Sequence, residues 1–372
     1  MRFPHDVPVL TDGLVTLRAH REDDIPSVVE QCQDPHMARW TSVPQPYSPD
    51  DAKTWIRHVV PEGWETETCF EFALEHAGVF AGSAALRPRG DGRAEIGYGV
   101  HPSFRRRGVM ARALRLLVEW GFTARDLETI TWSAFTGNWP SRRLAWRLGF
   151  SLHGPVEKWV AQRGELQDAW VGVLRREDPR EPRHPWYDAP TVVGPSVVLR
   201  AIHHGDAVRV AEAFSDETSQ AWLRVPATYS EEEAHGYVEE RRGLMADGKA
   251  VYWTVADPQT DDVLGAVMLF NIEPGKDAEL GYWMHPDARG RGTTVEAARL
   301  AVRHAFVPEE DGGLGLARLT AYAGVGNAPS VGVIDRLGFT RYGVERLGGS
   351  NGRGESFDLA CHDLLASEFR AP

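Results

Sequence analysis

A ten-residue block, HPSFRRRGVM at 101–110, returns as HPDARGRGTT at 285–294, a displacement of 184 positions (285 − 101 = 184). A repeat of that period within 372 residues restricts the chain to two similar domains, since a single core of that size is unusual. The rest of each half follows in the same order. GLVTLRAH (13–20) matches GPSVVLRAI (194–202), a short β-rich run ending in Leu-Arg before charged residues that begin a helix. NWPSRRLAWRLGF (138–150) matches NAPSVGVIDRLGF (327–339), a short helix that ends in glycine ahead of another strand. Between the halves, RREDPREPRHPWYDAPTVVGP (175–195) holds five prolines and few aliphatics, so it continues neither a helix nor a central strand. The expected organisation is a first domain over 1–175, a semi-rigid linker over 176–194 and a second domain over 195–372.

DDIPSVVEQCQ and GDAVRVAEAF read as helices, as do SPDDAKTWIRHVV and SEEEAHGYVEERRGLM, where Ser48 and Ser230 stand as caps ahead of acidic first-turn residues. CFEFALEHAGVFAGSAALRPRG with RAEIGYGVHP, and AVYWTVADPQTDDVLGAVMLFNIEP with DAELGYWMHP, each read as an antiparallel hairpin followed by a third alternating strand. MARALRLLVEWGFTARD and TVEAARLAVRHAFVPE return apolar residues every three or four positions, as helices do, and the short strands LETITWSAF and LARLTAYAG follow them.

No apolar run reaches the roughly 18 residues of a membrane span, and the N-terminal MRFPHDVPVLTDG has no apolar leader core. Three cysteines, Cys32, Cys69 and Cys361, make no disulfide framework, so a cytoplasmic location is expected, without a membrane partner. A formal charge of −12, from 53 acidic against 41 basic side chains, repels a nucleic-acid backbone and mildly favours a cationic acceptor.

In both blocks a strand ending in His-Pro meets a glycine-punctuated loop, and a helix begins at once. The first amides of a helix lack intrahelical acceptors and carry partial positive charge, so such a loop cradles phosphate. Gly108 and Gly292 let the backbone approach an anion, and Arg105, Arg106 and Arg107, or Arg289 and Arg291, add charge-assisted contacts. A solvated Arg-Gly turn is the plainer alternative. Neither block reads as a dinucleotide fingerprint or a P-loop.

Taken together, these residues resemble the GNAT superfamily of acyl-coenzyme A dependent N-acyltransferases, most closely its ribosomal-protein Nα-acetyltransferase-like (RimJ/RimL-like) members. The family's pyrophosphate motif, Arg/Gln-x-x-Gly-x-Gly/Ala, falls on Arg105, Gly108 and Met110 and again on Arg289, Gly292 and Thr294, with Met110 and Thr294 replacing the usual small last residue. The family's Asn-x-x-Ser, short helix and Gly-Phe fall on Asn138, Ser141, Gly149 and Phe150, and on Asn327, Ser330, Gly338 and Phe339. The resemblance covers nearly all of the chain outside the linker and implies two tandem folds of the α/β (α+β) class. Each is a mixed, mostly antiparallel sheet flanked by helices, with a V-shaped cofactor cleft between two parallel strands.

The resemblance further implies acetyl-coenzyme A, held by Val100, Arg105, Arg106, Arg107, Gly108, Val109, Met110 and Asn138 in the first half. Met284, Arg289, Gly290, Arg291, Gly292, Thr293, Thr294 and Asn327 hold it in the second, and no metal is involved. Glu95 and Glu279, each beside an Ile or Leu, are the candidate general bases, because a semi-apolar groove raises a carboxyl toward a useful value. Such a glutamate can instead face solvent or pair with an arginine. Ser141 and Ser330 are the candidates to bond the departing thiolate, with helix capping as the structural alternative for each Asn-x-x-Ser. Many relatives use a tyrosine there, and none stands at the matching place in either half.

Trp40, Trp55, Trp64 and Tyr47, and Trp222, Tyr229 and Tyr237, are candidate walls for the acceptor or else packing residues. Arg163-Gly164 reads as the turn of a closing hairpin, whose counterpart in the second half is looser and glycine-rich. The expected function is transfer of an acetyl group to a primary amine of a small molecule or a peptide N-terminus. A non-catalytic acyl-coenzyme A sensor, one catalytic domain beside a degenerate one, and a purely structural tandem stay open. So does the oligomeric state, because tandem domains can form a pseudo-dimer within one chain.

Overall fold

The computed structural model describes residues 7–370, which divide between Arg183 and His184 into two compact units. The division lies inside the proline-rich stretch 176–194. Arg176 bonds Asp126 (2.7 Å) and Arg180 bonds Glu119 (2.9 Å) in the first unit. Tyr187 donates its amide to Met245 (3.0 Å) and Pro190 accepts from Trp253 Nε1 (2.9 Å) in the second. Each end of the stretch is thus tied down by the unit it adjoins.

The first unit comprises strands β1 (Leu10–Thr11), β2 (Val15–Arg18), β3 (Phe70–His76), β4 (Val79–Gly90), β5 (Arg93–Val100), β6 (Thr129–Phe135), β7 (Ser151–Gln162) and β8 (Glu165–Arg175). Its helices are α1 (Ile25–Gln33), α2 (Pro35–Trp40), α3 (Pro49–Thr54), α4 (Val60–Glu65), α5 (Val109–Ala124) and α6 (Trp139–Arg147). The second unit repeats this as β9 (Val192–Val193), β10 (Val198–Ala201), β11 (Ala250–Ala256), β12 (Val263–Glu273), β13 (Asp277–Met284), β14 (Arg318–Gly324), β15 (Thr340–Ser350) and β16 (Ser356–Leu365). Its helices are α7 (Ala207–Phe214), α8 (Glu217–Trp222), α9 (Glu231–Ala246), α10 (Thr293–Phe306) and α11 (Ala328–Arg336). Among the described residues no helix is long and apolar enough to cross a membrane.

Each sheet has eight strands, in the orders β1-β2-β3-β4-β5-β6-β8-β7 and β9-β10-β11-β12-β13-β14-β16-β15. All pairs are antiparallel except β5 with β6 and β13 with β14. Those two parallel ladders are short. The first runs from Arg93↔Thr129 to Glu95↔Thr131 and the second from Asp277↔Arg318 to Glu279↔Thr320, although the strands continue to Val100, Phe135, Met284 and Gly324. Beyond Glu95 and Glu279 the facing edges therefore offer backbone groups with no ladder partner. The looser second hairpin expected from its glycines still pairs as β15 with β16, with register shifts like those between β7 and β8.

Local signals account for most helix starts. Ser48 and Ser230 close capping boxes with Asp51 and Glu233, and α6 and α11 end before Gly149 and Gly338 at φ +84° and +88°. The Leu-Arg of each first long strand has a tertiary use. Arg18, buried, grips the equally buried Asp24 through two bonds of 2.8 and 2.9 Å, and Arg200 grips Asp206 at 3.0 and 2.8 Å, fastening the first helix to the sheet.

A Cβ at Gly99 would stand 2.5 Å from Met37 Cε of α2. The matching strand position in the second unit is Trp283, which packs edge-on against Phe214 of α7 and donates Nε1 to the Tyr252 hydroxyl at 3.0 Å.

His20 lies fully buried against Trp55 and Phe80, and burial pushes its imidazole down to about 4. The unfolded chain protonates near 6.5, so the stability of the first unit is full above that value and falls as pH drops toward 4, by about 3 kcal/mol in total. Ile202 holds the corresponding place in the second unit. A His20→Ile chain is expected to lose that slope, which urea midpoints across pH 4–7 will read.

Candidate active site

The turn before α5 owes its shape to left-handed backbone. Arg106 and Gly108 have φ +60° and +73°, and Gly290 and Gly292 have +76° and +82° before α10. A Cβ at Gly108, Gly290 or Gly292 would meet nothing within 4 Å, so glycine serves the backbone conformation rather than packing. The imidazoles of His101 and His285 accept from the amides of Ser103 and Asp287 at 3.4 and 3.3 Å, which explains the shared His-Pro. Val109, Met110 and Thr293 are buried and anchor the helix starts, while Thr294 is half-buried. As first-turn residues their amides lack intrahelical acceptors.

The arginines of the two loops divide into two kinds. Arg105 forms a forked pair with Asp34, the cap of α2, at 3.2 and 2.5 Å, and Arg289 pairs with Asp216, the cap of α8, at 2.7 Å. Their guanidinium groups thus tie the loop to the second helix of each unit. Arg106, Arg107 and Arg291 are exposed, Arg107 stacking over Phe104 at 5.5 Å. In the second unit the turn also borders a groove lined by Gly290, Gly292, Arg299, Arg303 and Arg336.

The two candidate bases sit at identical points, the last paired residue of each parallel ladder, in different surroundings. Glu95 is ion-paired to Arg89 at 2.5 Å and accepts from Ser133 at 3.3 Å. Among the described residues Glu279 has no such cation; burial pushes its carboxyl up to about 7, tempered by a 3.3 Å bond from Asn271. Of the two glutamates, Glu95 is the one paired with an arginine and Glu279 the one whose carboxyl burial raises.

Asn138 and Asn327 cap α6 and α11, accepting from the amides of Ser141 and Ser330 at 3.3 Å in each case. Capping occupies the asparagine oxygens and leaves the serine hydroxyls for another partner. That partner is a tyrosine absent from the local motif: Tyr98 Oη lies 2.8 Å from Ser141 Oγ, and Tyr282 Oη lies 2.9 Å from Ser330 Oγ. Trp132 Nε1 donates to Tyr98 Oη at 3.0 Å in the first unit. Burial pushes both phenols up to about 12, so they remain donors. The signal was the Glu-x-Gly-Tyr shared by β5 and β13. Alternation sends the glutamate to one face of the sheet and the tyrosine, three residues on, to the other. Val100 and Met284, half-buried and buried, end those strands.

Of the candidate walls, Trp40 and Trp222 stand at the open strand ends. Trp40 lies 3.3 Å from where a Cβ of Gly137 would be, and Trp222 lies 2.5 Å from that of Gly324. The closing hairpins brace them. Arg163, in the expected turn, donates to Ala38 O at 2.7 Å, and Gly352 donates to Leu223 O at 3.1 Å. Tyr47, Trp55 and Trp64 pack in the first unit's interior, and Tyr229 and Tyr237 stack on Phe214 in the second.

Residues 15–151 and 196–340 each match a family described as an acetyltransferase (GNAT) domain. A Bacillus subtilis protein named "Putative ribosomal N-acetyltransferase YdaF" is 27% identical over 185 residues, which cover 48% of this chain and 95% of the relative. Another from B. subtilis, "Uncharacterized N-acetyltransferase YoaA", is 36% identical over 89 residues, covering 24% of this chain and 49% of the relative. Among solved structures, a GNAT-family acetyltransferase from Bacillus anthracis is 20% identical with a TM-score of 0.42, over 48% of this chain and 100% of its own.

Proposed function

Both halves of the chain belong to the GNAT acetyltransferase family, and from that premise we propose that each unit binds acetyl-coenzyme A and that the protein transfers the acetyl group to a primary amine of a small molecule or a peptide N-terminus. The observation that carries the reading is the coincidence, in both units, of three features at the lapse of the parallel ladder. These are the left-handed turn with open helix amides, the carboxylate at the last paired residue, and the serine held by a tyrosine.

The residues present fit the cofactor. The amides of Gly108, Val109 and Met110, and of Gly292, Thr293 and Thr294, would hold its pyrophosphate, with Arg106, Arg107 and Arg291 adding charge. The unpaired edges ending at Val100 and Met284 would bond its pantetheine arm as an added strand does. Bound acetyl-coenzyme A supplies an acyl group already activated as a thioester. Glu279 takes a proton from the acceptor amine, and a carboxyl near 7 is matched to that task at neutral pH. Glu95 occupies the same place in the first unit but must part from Arg89 to take a proton. Ser330 Oγ, held by its hydrogen bond with Tyr282 Oη, would donate to the departing sulfur, and Ser141 with Tyr98 would do likewise. Fixing amine and acyl group together contributes up to about 7–11 kcal/mol.

Thiol release from acetyl-coenzyme A, followed over a panel of amines and N-terminal peptides, tests the reading. Amine-dependent release supports it, and no release combined with no calorimetric binding of coenzyme A overturns it. The Glu95–Arg89 pair also favours an arrangement in which the second unit transfers and the first only binds; Glu95→Gln would then leave turnover unchanged.

Gly292→Ala places a Cβ in the cradle and an L-residue in left-handed backbone. We expect the second site's Kd for coenzyme A to rise at least tenfold. The strain of about 1–2 kcal/mol should lower Tm by only a few degrees.

A further inference from the structure

The strand beside each candidate base carries a side chain that differs in kind between the units. Arg87 of β4 stands directly opposite Glu95 in register, and Phe270 of β12 stands opposite Glu279. Both fold diagonally over a glycine of the base's own strand. A Cβ at Gly97 would lie 2.4 Å from an Arg87 nitrogen, and one at Gly281 would lie 2.8 Å from Phe270 Cε1. These glycines are what allow the neighbouring side chain to floor the surface beside the carboxylate. Arg87 and Phe270 are each half-buried.

Arg87 bonds the Cys69 side chain but makes no ion pair. Glu95 is paired with Arg89 instead, and among the described residues no carboxylate lies within ion-pair distance of Arg87. The buried Glu71 nearby is pushed by burial up to about 7, so it neutralises the strip only in part near neutral pH. A half-buried guanidinium outside any ion pair, with donors of its planar fork left over beyond one thiol, is a site for carboxylate or phosphate. The phenyl ring at the same place in the second unit offers only apolar contact.

We propose that the two units select different amines: the first takes a primary amine carrying a carboxylate or phosphate a few bonds from the nitrogen, bound by Arg87, and the second takes an amine attached to an apolar group, packed on Phe270. This rests on the reading that the face of Glu95 and Glu279 receives the acceptor.

The test uses the full chain with one unit silenced, Glu279→Gln to follow the first and Glu95→Gln to follow the second. Beta-alanine, O-phosphoethanolamine and phenethylamine serve as acceptors. The first unit is expected to favour the two anionic amines by at least tenfold in kcat/KM, and the second to favour phenethylamine by a similar factor. Arg87→Phe should abolish the first preference, and Phe270→Arg should introduce it in the second unit. Arg87→Gln, which keeps a polar side chain, serves if the phenylalanine variant does not fold. Ranking unchanged by these exchanges overturns the proposal while leaving acetyl transfer intact. If no amine is acetylated, the transfer reading fails, and calorimetric binding of the same three amines to the parent chain and to Arg87→Gln decides the selectivity separately. Loss of beta-alanine and O-phosphoethanolamine binding in Arg87→Gln supports it, and equal or absent binding overturns it.

Discussion

Glu279→Gln, made in a Glu95→Gln chain to isolate the second unit, is expected to lower kcat/KM by about 10²–10⁴-fold, the usual contribution of a positioned general base. The amide keeps the shape of the side chain and can still face Asn271, so loss of folding is not the cause anticipated. The pH profile gives the sharper result. A base whose carboxyl is pushed up to about 7 is protonated below that value, so turnover should rise with pH through about 7 and level off above it. Glu279→Gln should flatten this acid limb. Its effect on stability runs the other way. The folded-state value lies above that of an ordinary glutamate, so burying the ionised form costs stability once pH exceeds the unfolded value, and the variant should melt higher than its parent at pH 8. An acid limb that survives the substitution would assign the proton to another group.

Asp24→Ala is expected to destabilise the first unit by about 3–5 kcal/mol, because it strands the Arg18 guanidinium in a buried site. Three bonds are lost at once: the fork from Arg18 and the 2.8 Å bond from the Arg21 amide that opens the first helix. Burial works to raise this carboxyl, but the Arg18 and Arg21 bonds prevail and hold it below the ordinary carboxylate range. Its contribution is therefore complete above about pH 4 and lost as pH falls further. Denaturant unfolding at pH 7 reads the effect, with the second unit as internal reference. A shift below about 1 kcal/mol would mean that Arg18 finds Glu75, 2.6 Å away, sufficient by itself.

Features encoded within a few residues were legible in the chain. Ser48 and Ser230 cap helices because a hydroxyl three residues from an amide needs no distant partner. The glycine turns before α5 and α10, the strand alternation and the order of elements are of this kind, and repetition at 184 positions doubled every signal. The side-chain partners of the candidate site were not legible. Tyr98 is 43 residues from Ser141, Arg105 is 71 residues from Asp34, and nothing local in either segment announces the other. Glu95 and Glu279 stand in nearly identical strings, RAEIGYG and DAELGYW, and yet one is ion-paired and the other raised to about 7. The difference comes from the adjacent strand, where Arg89 approaches one glutamate and Asn271 the other.

The amino-acid order alone was thus enough for two tandem units, their elements and the backbone turns, because period, caps and left-handed glycines act over one or two turns of chain. Which carboxylate is ion-paired, which arginine is tied down, and which side chain lies beside each candidate base were settled by folding. Charge, desolvation and packing act through space, between residues that only the sheet brings together.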